Sequence, residues 1–132
     1  NIDRVDWSLL SRNPNAIHLL ERHPEKIWWS ALSSNPNAVH ILEKNQNKIC
    51  WNNLSLNPNA LHIVEQNIHK MNVICWNNLS KNPNAIHLLE KNPDKINWWF
   101  LSKNPNAIHL LEQNLDKILE SKCPSPNRTR TR

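Results

Sequence analysis

The chain has 132 residues, 39% of them hydrophobic, with nine prolines and no glycine, which leaves room for one modest domain and excludes a multidomain enzyme. Phosphate-cradling loops, dinucleotide folds and nucleophile elbows need glycine where backbone meets ligand, so those three site classes are excluded together. The formal charge of +5 is uneven: residues 1–120 hold 12 basic and 11 acidic side chains, whereas residues 121–132 hold Lys122, Arg128, Arg130 and Arg132 and no acid.

No apolar run approaches the roughly 18 to 20 residues of a membrane span, and the opening residues lack the pattern of a secretion signal. The sequence predicts a soluble chain that is neither secreted nor membrane-bound. Asn is over-represented, at 23 residues. Alongside abundant Ile and Lys and no Gly, this points to an A+T-rich genome.

The tetrapeptide Asn-Pro-Asn-Ala begins at Asn13, Asn35, Asn57, Asn82 and Asn104, at spacings of 22, 22, 25 and 22 residues. Such self-similarity marks a tandem array. Five units follow, 1–22, 23–44, 45–66, 67–91 and 92–113, with a sixth begun at Asn114. A Trp precedes each Asn-Pro-Asn by six residues (Trp7, Trp29, Trp51, Trp76, Trp98) and a Leu by three (Leu10, Leu32, Leu54, Leu79, Leu101).

In unit one, Trp-x-x-Leu spaces two apolar residues by one helical turn, and Asp6 is placed to cap that short helix, as Asn97 is in unit five. Asn13-Pro14 then reads as a second helix start, with Asn as cap and Pro at the first helical position. That helix is predicted to be about ten residues long and amphipathic, with Ala16, Ile17, Leu19 and Leu20 on one arc and His18, Glu21 and Arg22 on the other. Pro24 and Pro93 punctuate the following turn. Unit four carries three extra residues, read as Met71, Asn72 and Val73 ahead of Ile74. Leu115, Ile118 and Leu119 are predicted to share one closing helix over 114–120 that caps the core. Residues 121–132 read as a disordered basic tail.

Neither helix can bury its apolar face within its own unit, so the units must stack. The predicted fold is all-α, a right-handed-type α-solenoid of five two-helix repeats with a C-terminal capping helix, its core built on the repeated Trp and Leu. The alternative at this period is a leucine-rich-repeat horseshoe. Against it, no unit holds an alternating β-branched strand pattern.

The phrase N-P-N-A-I-H-L-L-E-K-N-P-D-K-I-N-W across Asn82 to Trp98 resembles the short tandem repeat of giant nucleocytoplasmic DNA viruses, the mimivirus-like group. The resemblance covers residues 1–120. It implies a viral origin and a place in the host cytoplasm or the virion. It implies no activity and carries over no catalytic residue.

His18, His40, His62, His87 and His109 recur at one helical position, each followed three residues later by Glu21, Glu43, Glu65, Glu90 or Glu112. Metal binding between neighbouring helices about 8 to 10 Å apart would need long side chains to converge. A ladder of hydrogen bonds between stacked helices is the expected role, with no metal and no cofactor. Cys50 and Cys75 share a repeat position and Cys123 stands outside the rhythm. They are expected to be reduced packing residues, and the sequons at Asn53, Asn78 and Asn127 to be accidental.

Repeated positions serve stacking, so variable ones are free to face partners. Trp28, Trp99 and Phe100 interrupt the repeat as extra aromatics and are the candidate partner-binding residues. No constellation of catalytic groups stands apart from the repeat. The functional expectation is a non-enzymatic scaffold that binds a protein partner. Two alternatives remain: a virion component that self-associates through its arrays, and a weak nucleic-acid binder acting through Arg128, Arg130 and Arg132.

Overall fold

The computed structural model describes residues 4–120 of the 132. The tail 121–132, with Cys123, Asn127, Arg128, Arg130 and Arg132, lies outside the described residues. Among the described residues the chain is a succession of short helices with no strand, so the horseshoe, which needs a strand in each unit, is set aside.

Each full unit supplies two α-helices, and a 3₁₀ turn leads into the next. Unit one holds α1 (Trp7–Arg12) and α2 (Ile17–Arg22), and unit two α3 (Trp29–Ser33) and α4 (Val39–Lys44). Unit three holds α5 (Trp51–Leu54) and α6 (Leu61–Gln66), and unit four α7 (Val73–Lys81) and α8 (Ile86–Lys91). Unit five holds α9 (Trp98–Leu101) and α10 (Ile108–Glu112), followed by α11 (Leu115–Glu120). The odd-numbered helices form one column, α1 on α3, α3 on α5, α5 on α7 and α7 on α9, and α11 packs on α9 and α10.

The predicted caps form where expected: Asp6 accepts from the N–H groups of Ser8 and Leu9, and Asn97 from that of Phe100. Asn13 does not cap α2. Its backbone is extended (ψ 116°), as a following proline requires, and its carbonyl accepts from Ala16 N–H at 3.1 Å, closing a β-turn with Pro14 at the second position. Proline favours that position because its φ is already set. The side-chain oxygen of Asn13 accepts from Asn15 N–H at 2.9 Å. α2 therefore begins only at Ile17 and spans six residues, shorter than the sequence predicts.

The centre of the stack is aliphatic. Leu20, Leu32, Leu42, Leu54, Leu79, Leu89 and Leu101 are completely buried, and Ala38, Ala60, Ala85 and Ala107 close the turns behind them. Leu10, in the first unit, is half-buried. Of the repeated tryptophans only Trp76 is buried, at 6% exposure; Trp7, Trp29, Trp51 and Trp98 pack against the core from its edge. Their outer faces are covered from the next unit: Lys48 lies over Trp29, Lys70 over Trp51, and Lys117 over Trp98, while His23 meets Trp7 edge-on.

The extra residues of unit four are placed differently from the sequence reading. The 3₁₀ turn Ile68–Lys70 ends in register with those of other units, and Met71, extended and packed on the core, takes the place held by Ile27, Ile49 and Ile96. The inserted residues are thus Asn72, Val73 and Ile74. They lengthen α7 to nine residues, and the Asn72 side chain caps it by accepting from Cys75 N–H at 2.9 Å.

The closing helix exists, but only Ile118 of the predicted three packs on the core; Leu115 and Leu119 are 59% and 80% exposed. Repeat position explains this. Ile118 stands where Ile27 and Ile96 stand, whereas Leu115 occupies the exposed place of Pro24 and Pro93.

Candidate partner-binding surface

Three sets of hydrogen bonds lock consecutive units together. The side-chain amides of Asn35, Asn57, Asn82 and Asn104 each donate to two main-chain carbonyls of the preceding unit; for Asn57 these are Ser33 at 3.1 Å and Asn35 at 2.8 Å. Outside this inner row, Asn37, Asn59, Asn84 and Asn106 donate to the carbonyls of Pro14, Pro36, Pro58 and Pro83 at 2.8–2.9 Å. Ser11, Ser33 and Ser80 donate to the tryptophan carbonyl one turn earlier and accept from the N–H of Trp28, Cys50 and Asn97 in the next unit. Unit four lacks that third bond, because Asn72 has taken the N–H of Cys75.

No buried side-chain nitrogen or oxygen among the described residues is left without a partner. The repeated polar groups are thus consumed in holding the array. Sequence reading missed the asparagine rows. The available signal was the presence of both asparagines in all five copies beside positions that vary freely.

The histidines behave as expected: His40, His62, His87 and His109 pair with Glu21, Glu43, Glu65 and Glu90 of the preceding unit at 2.5–3.0 Å. Each pair bridges two even-numbered helices and remains about half exposed. Cys50 and Cys75 are free, and the Cys75 thiol donates to Asn52 Oδ1 at 3.2 Å. Among the described residues no cluster of three or more His, Cys, Asp or Glu is arranged to hold a metal ion, and no helix is long and apolar enough to cross a membrane.

The three candidate aromatics fall into two places. Trp28 is 58% exposed, yet its N–H is tied to Ser11 Oγ at 3.0 Å, so a large apolar ring projects from a fixed backbone. Trp99 and Phe100 sit together on α9, half-buried, with their rings edge to face at 4.9 Å. Lys103 Nζ lies 4.1 Å from the Trp99 ring centre and Lys81 Nζ 4.8 Å from that of Phe100. Such ammonium groups are held by the negative faces of the rings. Asn97 supports this corner, its amide donating to Asn77 Oδ1 at 2.9 Å. Units three and four separate Trp28 from the pair.

Two grooves lie on the array, neither of them lined by Trp28, Trp99 or Phe100. One of about 290 Å³ runs across units one to three, walled by Leu20, Ile27, Trp29 and Ile41 with Lys44 and Lys48 among its lining. A wider one, about 560 Å³, lies beside the insertion between Met71, Asn72, Val73, Trp76 and the Asp94–Asn97 stretch. Val73 and Ile74 are exposed next to it, apolar surface that the sequence reading did not single out. Comparison with family models, curated proteins and solved structures gave no match.

Proposed function

We propose that this chain is a non-enzymatic scaffold of a large DNA virus that binds a protein partner through Trp28 and the Trp99–Phe100 corner, in the host cytoplasm or the virion. One observation carries the reading: Trp28 stands mostly in solvent on an anchored backbone, while the buried repeated polar groups are spent inside the array. Exposed rigid aromatics are the side chains that most often anchor protein interfaces. The repeat phrase from Asn82 to Trp98 supports the viral origin.

The test is affinity capture from infected-cell lysate with the full chain beside a Trp28→Ser, Trp99→Ser, Phe100→Ser variant. A protein held by the first and lost from the second supports the reading. Identical captured sets contradict it.

A second reading rests on the charge of residues 121–132, which hold four basic side chains and no acid. Nucleic-acid binding through Arg128, Arg130 and Arg132 would be weak and salt-sensitive. It would vanish when residues 121–132 are removed, whereas capture of a protein partner would persist.

A further inference from the structure

We propose that the groove across units one to three docks a linear peptide segment of another protein, one that carries a bulky apolar side chain beside an acidic one. The groove is walled by Leu20, Ile27, Trp29 and Ile41, and it opens where the array departs from its own rule. Ile63, Leu88 and Leu110 hold the repeat position of Ile41 and are all buried, whereas Ile41 is only half-buried.

Two side chains explain the opening. The turn that leads into each unit starts with proline in units two and five (Pro24, Pro93), where units three and four have the longer-reaching Gln46 and Ile68. The residue after the histidine is Ile in units two and three and Leu in units four and five. Among units two to five, only unit two combines proline with Ile, whose branching at Cβ leaves it one carbon shorter than Leu. Neither side chain reaches across, and a groove of about 290 Å³ remains between them.

Charge decides the occupant. Lys44 and Lys48 line the groove and form no ion pair among the described residues, and Lys48 stands over Trp29 at 4.9 Å. Glu21 is the one acid in the lining, and His40 holds it at 2.6 Å, so the lining is net positive whether or not His40 is protonated. Glu25, on the turn beside Pro24, faces His23 at 3.7 Å. An apolar groove with two unmatched ammonium groups complements an apolar side chain next to a carboxylate. Residues 121–132 of the chain itself have the wrong sign, with four basic side chains and no acid. Small-molecule pockets enclose roughly 300 to 1,000 Å³; a smaller groove open to solvent suits one side chain of a peptide better than an engulfed ligand. None of Trp28, Trp99 and Phe100 lines it, so this proposal and the partner surface described above fail independently.

The experiment selects a phage-displayed library of random short peptides on the full chain, then titrates the enriched peptides by fluorescence anisotropy. Sequences with a large apolar residue beside Asp or Glu are expected. Pro24→Gln with Ile41→Leu gives unit two side chains that other units already carry at those positions, so the helical spectrum should persist while peptide affinity falls at least about tenfold. Lys44→Glu with Lys48→Glu should cost as much, and changing the acids of the peptide to Lys should restore binding to that variant. The proposal is overturned if no enriched peptide responds to the groove variant, or if charge reversal leaves binding unchanged. Peptides lost only with Trp28→Ser or with Trp99→Ser and Phe100→Ser would support the other surface and overturn this one. Decanoate bound in the groove more tightly than any enriched peptide would make it a small-molecule site and likewise overturn the proposal.

Discussion

The side-chain amide of Asn57 donates at 2.8 Å to the main-chain carbonyl of Asn35, the residue that holds the same place one unit earlier. The Asn57 side-chain oxygen meanwhile accepts from Asn59 N–H. One side chain thus shapes its own turn and fastens it to the turn before. Asp would lack the donor, and Gln would move the amide outward by a methylene. Those constraints account for an Asn in each copy.

Replacing Asn57 with Ala leaves buried carbonyls of Ser33 and Asn35 without their amide donor, and we expect a loss of about 2 to 4 kcal/mol. Asn13 has the same turn, but its amide makes no hydrogen bond to another unit among the described residues, and Asn13→Ala should cost less than about 1 kcal/mol. Urea unfolding of the two variants measures the difference. Equal losses would mean that the inter-unit bonds contribute nothing.

Trp76 is buried and Trp51 only half-buried beneath Lys70. Trp76→Ala should therefore destabilise by about 3 to 5 kcal/mol, and Trp51→Ala by less, about 2 kcal/mol, since its edge position leaves room for Lys70 and water to refill the space. The reverse order in thermal melts would contradict the placement of the tryptophans at the rim of the core.

The His62–Glu43 pair is short, at 2.5 Å, but both side chains are about half exposed. Solvent screening then limits its worth, and a double-mutant cycle with His62→Ala and Glu43→Ala should return a coupling of less than about 1 kcal/mol. A coupling several times larger would make this row, rather than the asparagines, the main fastening.

The Ser8 hydroxyl, with the Leu9 N–H next, holds the Asp6 carboxyl below the usual aspartate range. A depressed folded-state pKa stabilises the fold above the unfolded value and loses that contribution as pH falls through the folded one. Asp6→Asn, which caps without titrating, should narrow the gap between melting temperatures at about pH 5 and about pH 3. An unchanged gap would contradict the role of Asp6 as an ionised cap.

Much of this architecture was legible because it recurs. The Trp-x-x-Leu and Ile-His-Leu-Leu spacings mark helices wherever they occur, Asp6 and Asn97 stand directly before a helix, and the histidine row follows from units placed in register. The Asn13-Pro14 pair was misread because its residue types suit a helix cap and a β-turn alike; the bond from Ala16 N–H decides between them. Met71 was displaced by Ile74 in the alignment because the consensus residue is Ile, while the end of the 3₁₀ turn fixes the true register. Leu115 and Leu119 look like core residues to any amphipathic rule, yet both are exposed, Leu115 because its repeat position is the outward one of Pro24 and Pro93. The two hydrogen bonds donated by the Asn57 amide join residues 24 and 22 positions apart, a relation that helical periodicity within one unit does not reveal.

The division between repeated residues that hold the array and variable aromatics that bind is tested most directly by a thermal melt beside a binding titration, using Trp99→Ser with Phe100→Ser and the partner recovered by capture. We expect the melting temperature to stay within about 5 °C of wild type while binding weakens by more than about 2 kcal/mol. A double variant that melts as early as Trp76→Ala would show that these rings belong to the core and would contradict the account.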